Sequence, residues 1–265
     1  MKTKTLMMAL MLMAAAACAP KHVATPDVDD CGVVRRVDTS KNTVYLVFTA
    51  HYSANDEGYF ENFDGIIPVL DVLKEKDVKG SFFPTGACYI PKYDEAIKRI
   101  IAEGHYLSHH SDAHLYLCSD DEPGEDWVTA DSVKCDIASV EAKLAAYGIA
   151  KEDIPWMIPP YEHYNASTAQ MLRDCGYKLC NPTKGIITGH DWMGKDHPSY
   201  MSAADQLRTI WDYEKANTLN GCIILVHAMV YPNREDNDRI FSHLGEIIDH
   251  IRELGYDFGT FADVE

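Results

Sequence analysis

Two histidines that could share a metal ion lie four residues apart, at His110 and His114, in the run His-Ser-Asp-Ala-His. On one helical turn, or on a tight turn after a strand, this spacing directs both imidazoles toward one point, as zinc requires. The spacing alone is also common by chance, and two solvated loop histidines would satisfy it equally. The intervening Ser111 and Asp112 could support the turn or hydrogen-bond a ligand imidazole.

Other reactive side chains also follow short apolar segments. His51 follows the apolar run 43–49, Glu162 follows the run 156–159, and His227 follows the run 222–226. In barrels of strands and helices the catalytic groups lie where the strands end, so we expect these side chains to converge. A purely structural barrel would accept Ser, Asn or Gly at these places. The pattern therefore indicates a metal site or an acid–base site.

The elements that would position these residues alternate along the chain. Amphipathic runs, with apolar residues three and four apart, end at a glycine, and a short apolar or aromatic run follows. Glycine just past such a run is a common helix stop because it adopts the left-handed conformation without cost. The boundary glycines are Gly80, Gly104, Gly148, Gly176, Gly221 and Gly255. With an opening strand at 43–49, the pattern predicts about seven strand–helix units, an α/β fold whose parallel sheet forms a closed or nearly closed barrel.

The N-terminus has the features of an export signal. Lys2 and Lys4 precede an apolar stretch, 6–17, that is too short for a permanent membrane span, so we predict a signal peptide at 1–17. Cys18 follows three alanines, as in a bacterial lipoprotein cleavage box, where it would be lipidated and become the first mature residue. Ordinary cleavage within the alanines, which gives a secreted protein, is the alternative. Both place the protein outside the cytoplasm.

The polar segment that follows is predicted to be a tether with little regular structure, at 18–40, and the catalytic domain to occupy 41–265. The chain has 265 residues and a net charge of −17, which argues against a nucleic-acid partner and against charge-driven membrane binding. Membrane contact is expected only through the lipid on Cys18. Seven cysteines remain, an odd number, so at least one should be free, and most should be small buried residues.

The order of these motifs resembles that of the NodB-like polysaccharide deacetylases. The run from His110 to His114 is similar to the family's His-Ser/Thr-x-x-His motif. Further segments that agree in order and spacing are 81–86, 103–105, 159–161 and 224–227. The resemblance extends from about Thr43 to the C-terminus. It implies a distorted barrel of seven strand–helix units and an enzyme that removes N- or O-linked acetyl groups from glycans such as chitin, peptidoglycan or xylan.

The first strand departs from the family pattern. Ala50 stands where the family has the aspartate that serves as catalytic base, and His51 stands where it has the metal-binding aspartate. His51, His110 and His114 then form the predicted metal site, with zinc favoured and nickel or cobalt as alternatives. Three neutral imidazoles would leave the fourth coordination position of zinc for a water molecule, whose pKa such a site lowers to about 7.

A second departure is Ile158, which replaces the arginine that orients the family's catalytic base. Two carboxylates are candidates for a replacement base: Asp56, in the loop beyond His51, and Glu162.

The remaining predicted site residues follow from the resemblance. His227 matches the general acid that protonates the leaving group. Tyr161 would help shape the oxyanion pocket with its backbone amide, beside the metal. Asp191 and Trp192 resemble an Asp-Trp segment that lines the sugar groove and are predicted to bind substrate.

The leading hypothesis is a metal-dependent hydrolase that removes acetyl groups from a glycan. Loss of the aspartate at Ala50 and of the arginine at Ile158 supports one alternative, a catalytically impaired barrel that only binds a glycan. Another metal-dependent amidohydrolase, acting on a carbon–nitrogen bond of a small substrate, is the second.

Overall fold

The structure is a computed structural model that describes residues 24–54, 60–121 and 124–264. The predicted signal peptide at 1–17, the lipidation site Cys18 and the candidate base Asp56 lie outside the described residues. Within the described ranges, no helix is both long enough and apolar enough to cross a membrane.

Parallel strands and helices alternate through most of the chain. The strands are β1 (Asp27–Val28), β2 (Val34–Arg36), β3 (Thr43–Ala50), β4 (Ser53–Ala54), β5 (Phe60–Glu61), β6 (Ser81–Pro84), β7 (Tyr106–Leu107), β8 (Trp156–Met157), β9 (Lys178–Leu179), β10 (Ile223–His227) and β11 (Asp257–Gly259). The helices are α1 (Ile66–Glu75), α2 (Asp94–Ala102), α3 (Ala130–Ala145), α4 (Ala166–Asp174), α5 (Ala203–Asn217) and α6 (Leu244–Glu253). All pairings among β3 and β6 to β11 are parallel, which confirms the predicted α/β fold.

The strands form a distorted barrel. One sheet has the order β10-β3-β6-β7, with β11 beside the start of β3, while β8 and β9 form a separate pair. A side chain bridges the gap from β7 to β8, because Ser108 Oγ donates to the Trp156 carbonyl at 2.6 Å. On the other side, β2 bridges to Cys180 after β9 and to Cys222 before β10. The wall of the barrel is therefore closed partly by isolated β-bridges and by a side-chain hydrogen bond.

The prediction of a tether with little regular structure is wrong for residues 27–38. Val33 is completely buried and Val37 is 5% exposed. The Arg36 guanidinium donates to the Asn220 carbonyl at 2.8 Å. The segment fills the gap between β9 and β10. Its four valines are scattered among polar residues without a regular period, so the sequence does not predict this burial.

The amphipathic helices bury the apolar positions that the sequence predicts. In α3 these are Val133, Ile137, Val140 and Leu144. The predicted apolar positions around α6 are buried up to Ile251, whereas Leu254, after the helix, is 41% exposed. Thr129 begins α3 by accepting a hydrogen bond from the Ser132 amide at 3.2 Å.

Most of the predicted boundary glycines adopt the left-handed conformation, at Gly104, Gly148, Gly176, Gly221 and Gly255. Gly80 differs, because Asp77, with φ of 50°, takes that conformation after α1 instead. Gly80 is required for a different reason, since a Cβ there would lie 2.6 Å from Phe48 Cε2 in the core. The glycine pattern therefore predicted the boundary between α1 and β6 correctly, but glycine is needed there for close packing and not for a left-handed helix stop.

The cysteines of the described residues carry free thiols, at Cys31, Cys88, Cys118, Cys135, Cys175, Cys180 and Cys222. Four of them, Cys88, Cys118, Cys180 and Cys222, are buried. This confirms that they act mainly as small core residues.

Candidate active site

One cavity, of about 380 Å³, lies at the C-terminal ends of the parallel strands. It is lined by seven of the predicted site residues: His51, His110, His114, Tyr161, Glu162, Trp192 and His227. Parallel register explains part of this convergence, since His227 at the end of β10 pairs with Thr49 of β3, two residues before His51.

Two of the predicted metal ligands are oriented through their Nδ1 atoms. His110 Nδ1 lies 2.8 Å from the Ile158 carbonyl, which can only accept, so Nδ1 carries the proton and Nε2 keeps a lone pair. His51 Nδ1 lies 2.8 Å from Thr85 Oγ1. Burial lowers the pKa of His51 to about 4 and that of His110 to about 3, so both rings are neutral at neutral pH.

The third imidazole, His114, lies between the others. Its ring centroid is 4.6 Å from that of His51 and 5.0 Å from that of His110. The ring stacks on Tyr161 at 3.9 Å, and its Nε2 accepts from the Tyr161 backbone amide at 3.4 Å. His114 Nδ1 is buried and has no hydrogen-bond partner among the described residues. Burial and the neighbouring His110 and His51 hold the pKa of His114 well below its usual value.

A tight turn, rather than a helix, sets the spacing of His110 and His114. The Asp136 carboxylate, from α3, accepts from the backbone amides of Asp112 and Ala113 at 2.8 Å each. Ser111 Oγ accepts from the His114 amide at 3.2 Å, so Ser111 supports the turn.

The Asp112 side chain does not hydrogen-bond an imidazole in this turn. It accepts from Lys143 Nζ at 2.6 Å and from Ser139 Oγ at 2.8 Å. Its carboxylate also fills the space above Gly86, where a Cβ would lie 1.6 Å from Asp112 Oδ1. Asp112 therefore anchors the turn to α3.

Backbone strain is concentrated at the site. Ser111, His114, Tyr161 and Glu162 have φ of 68°, 55°, 58° and 53°, and they are four of the six non-glycine residues with positive φ in the described chain. Each such residue costs on the order of 1 kcal/mol and persists only where its surroundings hold it. The left-handed backbone conformation at these positions directs the Glu162 side chain toward His110 and the Tyr161 amide toward His114.

Glu162 is the carboxylate that the structure brings to the imidazoles. Its Oε1 lies 3.4 Å from His110 Nε2, and that oxygen is buried without a hydrogen-bond partner among the described residues. The side chain as a whole is 25% exposed. Burial raises its pKa to about 7, the nearby Asp191 charge adds to the shift, and His227 opposes it. A carboxyl group with this pKa is suited to proton transfer near neutral pH.

Asp191 and His227 form a buried pair. His227 Nδ1 lies 2.5 Å from Asp191 Oδ1, and Asp191 is 1% exposed. The predicted sugar contact of Asp191 does not match this position, because its carboxylate binds the imidazole beneath the cavity. It fixes the ring orientation of His227 and would stabilise the protonated ring. Trp192, the other half of the predicted sugar-binding segment, is 37% exposed at the cavity wall.

The two substituted family positions are both buried. Ala50 is 2% exposed and lines the cavity, while Ile158 is completely buried in the core. The Ile158 side chain thus contributes packing, and its carbonyl orients His110. Within the described residues, Glu162 is the candidate base at the cavity.

The donor chemistry of the site fits a divalent cation. Three neutral imidazoles lie together, the tautomer of His110 is set by a carbonyl, and a buried nitrogen of His114 has no hydrogen-bond partner among the described residues. No group of three or more His, Cys, Asp or Glu side chains in the described ranges is already arranged to hold a metal ion. Binding would therefore require these rings to turn toward a common point.

Sequence reasoning missed several residues that build the site. Thr85 orients His51, Asp136 holds the histidine turn, and Tyr116 forms part of the cavity wall. Thr85 lies directly after β6, in the segment 81–86 that resembles the family. Its position at a strand end could therefore have identified it as a site residue. Asp136 and Tyr116 had none, because a helix surface and an irregular loop show no distinguishing pattern.

Comparison with known proteins relates the chain to one family. A model described as "Polysaccharide deacetylase" matches residues 36–180, more than half of the 265 residues. The peptidoglycan-N-acetylmuramic acid deacetylase PdaA of Bacillus subtilis is 28% identical over 229 residues, which cover 86% of this chain and 73% of that protein. The structure of PdaA, a family 4 carbohydrate esterase, superposes with a TM-score of 0.61 and covers 88% of this chain and 85% of that chain, at 24% identity.

Two further solved structures share the fold at lower identity. A family 4 acetyl xylan esterase from Clostridium thermocellum, in complex with cobalt, has a TM-score of 0.61 at 20% identity, with 84% of this chain and 89% of that chain covered. A pseudoenzyme of the same family from Bacillus anthracis has a TM-score of 0.63 at 17% identity, with 87% of this chain and 68% of that chain covered. These similarities confirm the predicted barrel type.

Proposed function

The chain belongs to the polysaccharide deacetylase family, and from this premise we propose that it hydrolyses an acetyl group from a glycan with Glu162 as base and His227 as acid. The observation that carries the proposal is the meeting of a buried carboxylate, an Asp191–His227 pair and three neutral imidazoles in one cavity. The named activity of PdaA supports an acetylated glycan as substrate.

We propose His51, His110 and His114 as the residues that hold a divalent cation, with zinc favoured and nickel or cobalt as alternatives. When bound, the cation would polarise the acetyl carbonyl and make a water molecule more acidic. The cobalt ion in the structure of the acetyl xylan esterase supports a divalent cation in this chain.

Glu162 takes over the role of the missing aspartate in this proposal. Its carboxylate accepts a proton from the attacking water, which a methyl group at Ala50 cannot do. The strained backbone at Glu162 holds the carboxylate beside His110, at the 3.4 Å separation seen here. Tyr161 contributes its ring to the cavity wall, and its backbone amide, which donates to His114 here, is the candidate donor for a developing oxyanion.

His227 supplies the proton that the leaving group needs. Since Asp191 binds Nδ1, Nε2 is the ring nitrogen that would donate to the departing amine or alkoxide. The buried Asp191 charge stabilises the protonated imidazole until that transfer. Trp192 would contact the sugar at the cavity wall.

Acetate release from acetylated chitin oligosaccharides, peptidoglycan, xylan and simple amides tests this proposal. We expect release from at least one glycan, and loss of both release and bound metal in His110→Ala. Protein that carries no metal, and a His110→Ala variant with unchanged acetate release, would show the mechanism to be wrong.

One observation favours a second candidate function, a barrel that binds a glycan without cleaving it. Ala50 removes the family's carboxylate from the cavity, and a structural relative is itself described as a pseudoenzyme. A binder would release no acetate from any of these substrates, yet would retain glycan affinity when Glu162 is replaced by Gln. A hydrolase would release acetate and lose that activity in the same variant.

We also propose that the protein acts outside the cytoplasm, in the periplasm or at the cell surface. A lipid on Cys18 would anchor it to the membrane. The peptidoglycan substrate named for PdaA supports an extracytoplasmic location. A Cys18→Ser variant should move from the membrane fraction to the soluble fraction. Unchanged fractionation would leave ordinary secretion as the better account.

A further inference from the structure

Three aromatic residues form a strip that leads outward from the catalytic cavity. Tyr161 and Tyr116 both line the cavity, and their ring centroids are 5.0 Å apart in an edge-to-face contact. Trp127 continues the strip, with its ring centroid 5.3 Å from that of Tyr116. The aromatic strip is therefore continuous with the site where the acetylated sugar would lie.

Both ends of the strip expose apolar surface. Trp127 is 59% exposed, the largest fraction among the exposed large apolar side chains of the described residues, and Tyr161 is 44% exposed. Core packing does not account for an indole in this position. An exposed aromatic ring beside a binding cavity presents a flat apolar face, on which the C–H face of a pyranose can pack.

The backbone holds Trp127 in place before any ligand binds. Its amide donates to the Leu117 carbonyl at 3.0 Å, and Leu117 is 2% exposed. The preceding Asp126 carboxylate accepts from Asn165 Nδ2 and from Ser167 Oγ at 2.7 Å each, which ties this segment to the start of α4. The backbone position of Trp127 is therefore set before any ligand binds, and binding has to order only its side chain.

Polar groups accompany the rings. Tyr116 donates its hydroxyl to Asp120 Oδ1 at 2.6 Å, and the Asp120 side chain is 81% exposed. The carboxylate can therefore also accept from a sugar hydroxyl. With a net charge of −17 on the chain, this surface favours uncharged or amino sugars over acidic ones.

From these observations we infer that Trp127 and Tyr116 form a sugar subsite, which binds a pyranose ring of the same glycan chain beyond the sugar that carries the acetyl group. The inference rests on the proposed function for the glycan substrate and adds two specificity-determining residues, Trp127 and Tyr116, which favour a longer chain of uncharged or amino sugars over a short one. Trp127 is not among the residues that line the cavity, so on this inference a substrate short enough to stay within the cavity does not reach Trp127, whereas a longer chain contacts both.

Calorimetric titration with the N-acetylglucosamine dimer and tetramer tests this subsite. Binding is measured in the Glu162→Gln background with Zn²⁺ present, so that the probes stay acetylated. We expect Trp127→Ala to weaken tetramer binding by about tenfold, equivalent to about 1.4 kcal/mol, and to leave dimer binding unchanged. Leu254→Ala, which truncates an exposed apolar residue after α6, is the matched control and should change neither.

The outcomes separate the subsite from the proposed reaction. Equal tetramer affinity with and without the Trp127 ring overturns the subsite, and so does an equal loss for dimer and tetramer. If the enzyme with Glu162 intact releases no acetate while tetramer binding still depends on Trp127, the proposed hydrolysis fails and the subsite stands.

Discussion

Replacing Glu162 by Gln should abolish most activity and at the same time stabilise the metal-free protein at alkaline pH. The activity should fall by about 10²- to 10⁴-fold, the usual contribution of a general base. The stability effect follows from burial, which raises the pKa of Glu162 from 4.5 to about 7. At about 1.4 kcal/mol per pKa unit, ionising this group in the folded protein costs about 3 kcal/mol.

The sign of this effect depends on which state holds the proton more tightly. The folded state does so here, so stability from this group is present below the unfolded pKa and is lost as the pH rises through about 7. Gln cannot ionise and avoids the cost. In chelator, the stability of Glu162→Gln relative to the parent protein should therefore increase by about 3 kcal/mol from about pH 4.5 to about pH 8.

Urea unfolding at the two pH values measures this difference, and acetate release with metal restored measures the activity. Glu253→Gln, at a side chain that is 76% exposed, is the matched control and should change neither quantity. A stability difference that is the same at both pH values would refute the burial argument. Full activity in Glu162→Gln would refute its role as base.

Three further predictions concern the support of the site and of the core. Asp191→Asn should lower kcat by roughly 10²-fold or more with little change in KM, because His227 loses its orienting charge; an unchanged kcat would contradict this role. Burial lowers the pKa of His105 to about 4, so the stability it contributes is complete above about pH 6.5 and is lost as the pH falls toward about 4, by about 3 kcal/mol. Urea unfolding of the parent protein and of His105→Gln over this range should show the difference narrow at low pH, and a constant difference would exclude the effect. Gly80→Ala should destabilise the fold by roughly 1–3 kcal/mol, since a Cβ would press on Phe48 in the core, and an unchanged Tm would contradict that packing.

Local patterns were sufficient for the alternation of elements. The apolar spacing in α3 and α6 predicted their buried faces, and the apolar runs at 43–49 and 222–226 predicted the strands β3 and β10. The segment at 27–38 was misjudged because its burial depends on a gap in the barrel wall, which no local pattern describes. The requirement for glycine at position 80 also depends on a distant residue. It arises from the Phe48 ring, which lies in β3 and leaves no space for a Cβ.

By itself, the sequence determined the fold class, the strand ends that carry reactive side chains and the family motif at His110 and His114. Periodicity, strand length and a short motif are properties of neighbouring residues, so they can be read along the chain. Only the tertiary structure decided that Glu162 lies beside His110, that Asp191 binds His227 and that the Ile158 carbonyl orients an imidazole. Those contacts join residues 36 to 52 positions apart, and their distances depend on how the strands close around the core.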